Sequence, residues 1–119
     1  MKIAITAMGD NLDSEVDPRF GRARYFIVAD DKTGDYKALS NTQNLNAAQG
    51  AGIQSAQNVI DAGCVVVISG HFGPKAFAVL GAAGVKAISG ASGKVRDAIE
   101  QFKQGKLKPS GGPDVEGHW

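Results

Sequence analysis

The stretch Cys64–Gly90, CVVVISGHFGPKAFAVLGAAGVKAISG, decides the predicted fold. It begins with Cys64–Ile68, which is apolar without alternation, a pattern typical of a strand covered on both faces in a parallel sheet. Pro74 suits the first position of the helix that follows, and Val85–Ser89 is predicted to be a second strand. A strand, a helix and a strand in this order predict a right-handed crossover between parallel neighbours.

The segments on either side complete a chain of the α/β class. Three further strands are predicted before this stretch, at Lys2–Ala7, Arg24–Ala29 and Asp35–Asn41. The polar segment DDKTGD (Asp30–Asp35) favours a hairpin between the second and third strands. One helix is predicted from Gln49 to a cap at Gly63, and a last helix is predicted to be capped by Ser92 and ended by Gly105. The apolar positions at helical spacing are Ile53, Ala56 and Ile60, then Phe77, Leu80 and Ala83, then Val95, Ile99 and Phe102.

The order of these elements predicts a mixed sheet with strand order 3-2-1-4-5, in which strand two alone is antiparallel. The loops that leave strands one, three, four and five would then emerge at the same edge. Ligands of open α/β sheets usually bind outside the carboxyl ends of the strands, so we expect a ligand site at this edge.

Composition limits the class of protein. The chain has 119 residues, of which 43% are apolar and 21% charged, so residues 1–105 are predicted to form one domain. Residues 106–119 are rich in glycine and proline and are predicted to be a mobile tail. The net charge of +1 indicates neither a nucleic-acid nor a membrane partner, and no long apolar run predicts a membrane span. We therefore expect a cytoplasmic monomer. Its single cysteine, Cys64, is expected to be a buried thiol.

Two similar turns follow the last two strands, ISGHFG (Ile68–Gly73) and ISGASG (Ile88–Gly93). Each precedes a predicted helix, whose unpaired N–H groups and dipole favour an anion. Gly70, Gly73 and Gly90 would let the backbone approach a ligand closely, although any turn between a strand and a helix favours glycine. Neither turn is a nucleotide-triphosphate loop of the Walker A type, since neither matches its pattern.

The loop after strand one carries DPRFGRARYF (Asp17–Phe26). Arg19 and Arg22 are candidate anion ligands, because guanidinium groups donate several hydrogen bonds to one anion, and Phe20 could exclude water. Solvated arginines are the alternative. The amide-rich segment Ser40–Gly50 adds Asn44 as a possible donor.

Further candidates complete one predicted seat at this edge. His71 is a candidate metal ligand, Met8 offers a soft thioether, Phe72 could shield sulfides and Lys75 could balance charge. Histidines and cysteines are too few to enclose a zinc ion or an iron–sulfur cluster, so a bound cluster would be held mainly by noncovalent contacts. The complete predicted seat is Met8, Arg19, Phe20, Arg22, Asn44, Gly70, His71, Phe72, Gly73, Lys75 and Gly90.

Four segments together resemble the dinitrogenase iron–molybdenum cofactor biosynthesis family, of the NifX and NifB C-terminal type. They are VDPRFGRARYFIVAD, NTQNLNAAQGAGIQSAQNVI, GCVVVISGHFGPKAFAVLGAAGV and VEGHW. The resemblance implies an RNase H-like fold with five mixed strands and flanking helices. Free-standing members of this size imply a noncovalently bound molybdenum–copper sulfide cluster and MinD-like ATPases as partners. Members with cysteine or additional histidine ligands imply a more conventional metal site, and this sequence departs from them.

The predicted function is a non-enzymatic carrier or assembly scaffold for an anionic molybdenum-containing sulfide cluster. A phosphate-ligand sensor and a partner-binding adaptor, both without metal, remain alternatives. A two-metal nuclease would need converging carboxylates, including one in the first strand, and KIAITA has none. No catalytic residue is therefore predicted.

Overall fold

A computed structural model describes residues 1–41, 51–110 and 112. The strands are β1 (Lys2–Ala7), β2 (Tyr25–Asp30), β3 (Tyr36–Ser40), β4 (Val66–Ile68) and β5 (Lys86–Ile88). The helices are α1 (Ala51–Asp61), α2 (Pro74–Ala82) and α3 (Val95–Lys103). The order of strands and helices agrees with the prediction, and their bounds differ from it by one or two residues at most ends.

The five strands form one sheet in the order β3-β2-β1-β4-β5. Strand β2 is antiparallel to β1 and β3, whereas β1 pairs parallel to β4 and β4 parallel to β5. The hairpin between β2 and β3 closes at Gly34, which has a φ of 80° and donates its N–H to the Asp30 carbonyl at 3.0 Å. The predicted α/β class and strand order are confirmed. Strands β1, β3, β4 and β5 thus end at one edge, here named the C-terminal edge.

Helices cover both faces of the sheet. On one face, α1 and α2 pack over side chains that include Ala4, Phe26 and Val67, and on the other α3 packs over Ile3 and Ile5. Successive residues of β1 therefore enter different cores, as the alternation of a strand requires. Because both faces are covered, Ile3–Ala7 of β1 and all of β4 are buried, and only Thr6 among these residues is polar.

Two predicted helix faces are wrong in part. In α1 the buried positions are Ala51, Ser55, Ala56 and Val59. Ile53 is 43% exposed. It lies about 200° around the helix from the buried Ser55, so it faces away from the core. In α2 the buried residues are Ala76 and Leu80. Ala83 follows α2 as its C-cap and is exposed.

The predicted cap of α3 is also wrong. The N-cap residue is Lys94, which makes no side-chain cap hydrogen bond, and Ser92 lies outside the helix and is exposed. Backbone carbonyls of the loop after β1 replace the side-chain cap.

The start of the predicted mobile tail is held against the domain. Ser110 donates its N–H to the Ala87 carbonyl at 2.8 Å, and its Oγ accepts the N–H of Ser89 at 3.0 Å. Leu107 packs against the core beneath α3. Residues 106–110 therefore differ from the expectation, because they satisfy the outer edge of β5. Residues 111 and 113–119 lie outside the described part of the chain.

Cys64 lies just before β4, at the opposite end of the sheet from the C-terminal edge. It is a free thiol with only 4% of its surface exposed, and burial raises its pKa from 9.0 to about 11. The expectation of a buried thiol is confirmed. Within the described residues, no helix has both the length and the apolar character needed to cross a membrane.

Candidate functional site

The two ISG turns lie side by side at the C-terminal edge. They are here named the first turn (Ile68–Gly73) and the second turn (Ile88–Gly93). Ser69 donates its N–H to the Ile88 carbonyl at 2.9 Å, and Gly90 donates to the Gly70 carbonyl at 2.8 Å. A third bond runs from the Ala91 N–H to the Ser69 carbonyl at 3.1 Å. The two turns thus satisfy backbone groups of each other.

The loop Met8–Ala23, here named the first loop, crosses both turns. The N–H of Val16 donates to the Gly93 carbonyl at 2.8 Å, and that of Phe20 donates to the His71 carbonyl at 3.2 Å. Its tip is held to α3 by the Arg96 Nε, which lies 2.8 Å from a carboxylate oxygen of Asp13. This contact lowers the pKa of Asp13, although both side chains are exposed and the pair stabilises the fold only weakly.

The second turn offers less to an anion than the sequence predicts. The N–H groups of Val95 and Arg96, at the start of α3, donate to the carbonyls of Ser14 and Leu12, each at 2.9 Å. Gly90 has a φ of 83°, so glycine is favoured there by backbone conformation alone. The N-terminus of α3 is therefore closed by the first loop.

The first turn differs in this respect. Helix α2 begins at Pro74 after the N-cap Gly73, which makes no side-chain cap hydrogen bond. Within residues 1–41 and 51–110, no group accepts a hydrogen bond from the N–H of Lys75 or Ala76. These two donors and the dipole of α2 favour an anion next to the first turn.

Asp17 organises the segment that carries the arginines. Its carboxylate is 1% exposed and accepts the N–H of Arg19 at 3.0 Å and the N–H of Arg24 at 3.3 Å. Its carbonyl oxygen accepts the hydroxyl of Thr6 at 2.7 Å. Thr6 Oγ1 in turn lies 2.9 Å from the hydroxyl oxygen of Ser69, in the first turn.

Two more buried polar residues hold the other side of this segment. The side-chain amide of Asn41 donates to the Ala23 carbonyl at 2.9 Å and to Ser55 Oγ at 3.1 Å. Ser55 Oγ donates to the Gly21 carbonyl at 2.9 Å. Arg19–Arg24, here named the arginine loop, is therefore bound to β1, to the end of β3 and to α1.

Sequence reasoning missed these supporting residues. Thr6, Asn41, Ser55 and Ser69 are all fully buried. They bond to backbone carbonyls and to one another, Thr6 to Ser69 and Asn41 to Ser55, and neither kind of contact has a local sequence signal. A signal existed for Asp17, because an aspartate before proline commonly accepts the N–H two residues on.

The three arginines of the arginine loop differ in exposure. Phe20, Gly21 and Ala23 are buried, whereas Arg24 is exposed and Arg22 is half-buried. The Arg19 side chain is 45% exposed, and its Nε lies 4.0 Å from a carboxylate oxygen of Asp17. This distance exceeds that of a hydrogen bond, so the guanidinium of Arg19 remains accessible to a ligand.

The predicted shielding role of two aromatic residues is not supported by their positions. Phe20 and Phe72 are 0% and 1% exposed, and their ring centroids are 5.0 Å apart in the core beneath α1 and α2. Phe20 also lies 5.5 Å from Phe26 between centroids. These rings anchor the first loop and the first turn from below, since a loop that crosses the sheet needs apolar contacts to stay in place.

Other predicted residues do lie at the C-terminal edge. Met8 is 44% exposed directly after β1, and Lys75 is exposed at the N-terminal end of α2. His71 is half-buried, and its backbone pairs with that of Arg19. The first turn and the arginine loop are thus direct neighbours.

The remaining predicted residues divide into three cases. A Cβ atom on Gly70 would lie 2.7 Å from backbone atoms of Pro18, so glycine is required there by the first loop. Gly73 is buried at the N-cap of α2. Asn44 lies outside the described residues.

A conventional metal cage is not formed by the described part of the chain. No group of three or more histidine, cysteine, aspartate or glutamate side chains there could hold a metal ion. The candidate residues at this edge offer cationic side chains, backbone N–H groups, the His71 imidazole and the Met8 thioether, and these fit a large anion better than a bare divalent cation. The first loop also carries the exposed carboxylates of Asp10, Asp13 and Glu15.

Comparison with known proteins identifies the family of this chain. A sequence model of the family described as dinitrogenase iron-molybdenum cofactor matches residues 1–105, and the chain belongs to that family. Among solved structures, the apo form of the orange protein from Desulfovibrio gigas is 40% identical, with a TM-score of 0.94 over 96% of both chains. The predicted resemblance to this family is confirmed.

Two other solved structures extend the comparison. A candidate NifB protein from Thermotoga is 35% identical, with a TM-score of 0.84 over 98% of both chains. A candidate dinitrogenase from Methanocaldococcus jannaschii is 14% identical, with a TM-score of 0.69 over 95% of this chain and 97% of the other, which shows likeness of fold alone. No curated protein sequence matches the chain.

Proposed function

We propose that this protein is a noncovalent carrier or assembly scaffold for an anionic molybdenum-containing sulfide cluster, of the molybdenum–copper type. The observation that carries the proposal is the fixed arginine loop beside the N-terminus of α2, which has no side-chain cap among the described residues. Membership of the dinitrogenase iron-molybdenum cofactor family and the likeness to the orange protein support a cluster as the cargo.

The proposed seat holds the cluster by charge and shape. Guanidinium groups of Arg19 and Arg22, the ammonium group of Lys75 and the N–H groups at the start of α2 surround one anion. A hydrogen bond to a charged group contributes about 1.5–3 kcal/mol, so several of them suffice for retention without a covalent bond. His71 and Met8 lie at the same edge and can add a nitrogen or sulfur contact to copper.

Reconstitution tests the proposal. Apo-protein mixed with tetrathiomolybdate and Cu(I) is expected to keep visible absorbance through a desalting column. Arg19→Ala combined with Arg22→Ala should lower affinity at least about tenfold, because each change removes a charge-assisted donor. Lys32→Ala combined with Lys103→Ala is the matched control. It removes the same charge from two exposed lysines far from the C-terminal edge, and it should leave affinity unchanged.

Two single substitutions locate the seat further. Cys64→Ala should change retention little, because the thiol lies at the opposite end of the sheet. His71→Ala separates cradling from direct ligation, since a modest loss indicates cradling and a complete loss indicates a metal bond. Loss of colour in Cys64→Ala, with full retention in the double arginine variant, would contradict the proposed seat.

A phosphate-ligand sensor is the second candidate, because the two N–H groups at the start of α2 and the nearby arginines also suit a phosphate group. Competition distinguishes the two cargoes. Millimolar phosphate or nucleotide should displace little thiomolybdate–copper complex if the cluster is the cargo, and displacement at micromolar concentration would favour the sensor.

A further inference from the structure

We infer that Asp17 is the positioning residue of the seat, and that its buried carboxylate fixes the arginine loop before any cargo arrives. The inference rests on the proposed function for the identity of the cargo. The arrangement of the loop itself is visible without it. Asp17 touches no cargo in this account and acts through the backbone of the arginine loop.

The carboxylate of Asp17 closes the arginine loop into a ring. Its two oxygens accept the N–H groups of Arg19 and Arg24, which are the first and last residues of that loop. Because Asp17 is 1% exposed, water does not compete for these bonds. Charge-assisted bonds to a buried carboxylate are stronger than those between neutral groups, so both ends of the loop are fixed.

The carbonyl of Asp17 ties the same ring to the rest of the seat. It accepts the Thr6 hydroxyl at 2.7 Å, and Ser69 Oγ lies 3.4 Å from it. Thr6 belongs to β1 and Ser69 to the first turn. One residue therefore sets the arginine loop relative to the turn that precedes α2.

Electrostatics and the position of the arginine loop predict opposite effects of Asp17→Asn on anion binding. Asp17→Asn removes a negative charge beside Arg19, so electrostatics alone would tighten the binding of an anion. The amide keeps one acceptor oxygen and places an NH₂ group against the second N–H, so the loop should loosen. Weaker anion binding by Asp17→Asn would therefore show the effect of a displaced arginine loop, because the loss of the negative charge alone would strengthen binding.

The first measurement needs no cargo. In the full-length chain, Asp17→Asn should speed hydrogen exchange of the Arg19 and Arg24 amides at least about tenfold relative to the amides of β1. Asp13→Asn is the matched control, since it removes the same charge from the exposed tip of the same loop. It should leave exchange at Arg19 and Arg24 unchanged.

The second measurement uses tetrathiomolybdate and Cu(I). Asp17→Asn should lower retention at least about threefold, whereas Asp13→Asn should leave it unchanged or slightly higher. If Asp17→Asn does not fold, Thr6→Val is measured instead, because it removes the donor to the Asp17 carbonyl. Both effects are then expected in the same direction and smaller.

The outcomes separate this inference from the proposed function. Unchanged exchange at Arg19 and Arg24 would overturn the positioning role, whatever the binding result. Faster exchange with equal or tighter retention would overturn the claim that positioning serves binding. If the unmodified protein retains no thiomolybdate–copper complex, the proposed function fails, while the exchange data still decide whether Asp17 fixes the loop.

Discussion

At the scale of single residues, the C-terminal edge depends on buried polar groups that have partners. Thr6, Asp17 and Ser69 form one such group, and Asn41 and Ser55 form a second. In the described part of the chain, no buried side-chain nitrogen or oxygen lacks a hydrogen-bond partner. Losing one member would leave another buried and unsatisfied, which costs about 1–3 kcal/mol.

Cys64 gives a prediction about pH. Its pKa is raised by burial to about 11 in the folded protein, above its ordinary 9.0. Below pH 9 the thiol is protonated in both states, so its burial carries no ionisation penalty. Between these two values the unfolded state loses the proton first, so stability falls as pH rises through this range.

The measurement is the free energy of unfolding of the unmodified protein and of Cys64→Ala between pH 8 and pH 11. The alanine variant leaves a small cavity and should be less stable at pH 8. Its disadvantage should shrink as pH rises, because it has no thiol to ionise. A difference that stays constant over this range would show that the thiol ionises equally in both states.

Candidate residues could be predicted from the sequence where a side chain of suitable chemistry lies in a loop after a predicted strand. Arg19, Lys75 and Met8 were predicted from their residue types after strand ends, and the structure leaves them exposed at the C-terminal edge. Phe20 and Phe72 could not be assigned in this way, because an aromatic ring beside an arginine suits both a core and a ligand pocket. Only the packing of the first loop over the sheet decides between them.

At the scale of elements, the strands were the most predictable part. Alternation indicated β1, a continuous apolar run indicated β4, and the hairpin signal at Gly34 indicated the direction of β2 relative to β3. The closure of α3 by Leu12 and Ser14 could not be predicted, because those residues contribute carbonyl oxygens that every residue type has. Two similar turns therefore differ, since one precedes a helix whose N-cap makes no side-chain hydrogen bond with the described residues and the other precedes a helix closed by the first loop.

Gly70 gives a prediction at this scale. Gly70→Ala would place a Cβ atom 2.7 Å from Pro18 Cα and from the Pro18 carbonyl oxygen, so the first loop must shift. Overpacking of this kind costs about 1–3 kcal/mol, which thermal unfolding would detect.

Gly81→Ala is the control for this substitution. Gly81 lies within α2, where an added Cβ atom would meet no described atom of another element within 4 Å. Alanine there should stabilise the helix by about 0.5–1 kcal/mol. Equal stability of the two variants would contradict the close approach of Pro18 to Gly70.

At the scale of the whole molecule, the sheet order and its common edge followed from the order of elements. The order of elements did not predict where the domain ends. The family match ends at residue 105, where the domain is expected to end, yet two later residues contact the domain. Leu107 packs against the core beneath α3, and Ser110 bonds to the edge of β5. The glycine and proline content of this segment predicts a mobile tail. Composition could not reveal that one serine bonds to the edge of a strand.

Truncation tests this boundary. A chain ending at residue 105 should be less stable than one ending at residue 112 by about 1–2 kcal/mol, because it loses the burial of Leu107 and the bonds of Ser110. Chemical denaturation of the two truncated chains provides the comparison. Equal midpoints and slopes would show that residues 106–110 contribute nothing to the folded state.

We propose that the cargo lies between the arginine loop and the first turn. Titration of ¹⁵N-labelled apo-protein with tetrathiomolybdate and Cu(I), followed by amide chemical shifts, tests it most directly, since both metals are expected to be diamagnetic. We expect the largest shifts at Arg19–Arg24 and His71–Ala76, with small shifts at Gly90–Arg96. The largest shifts at Gly90–Arg96, or around Cys64 at the opposite end of the sheet, would contradict it.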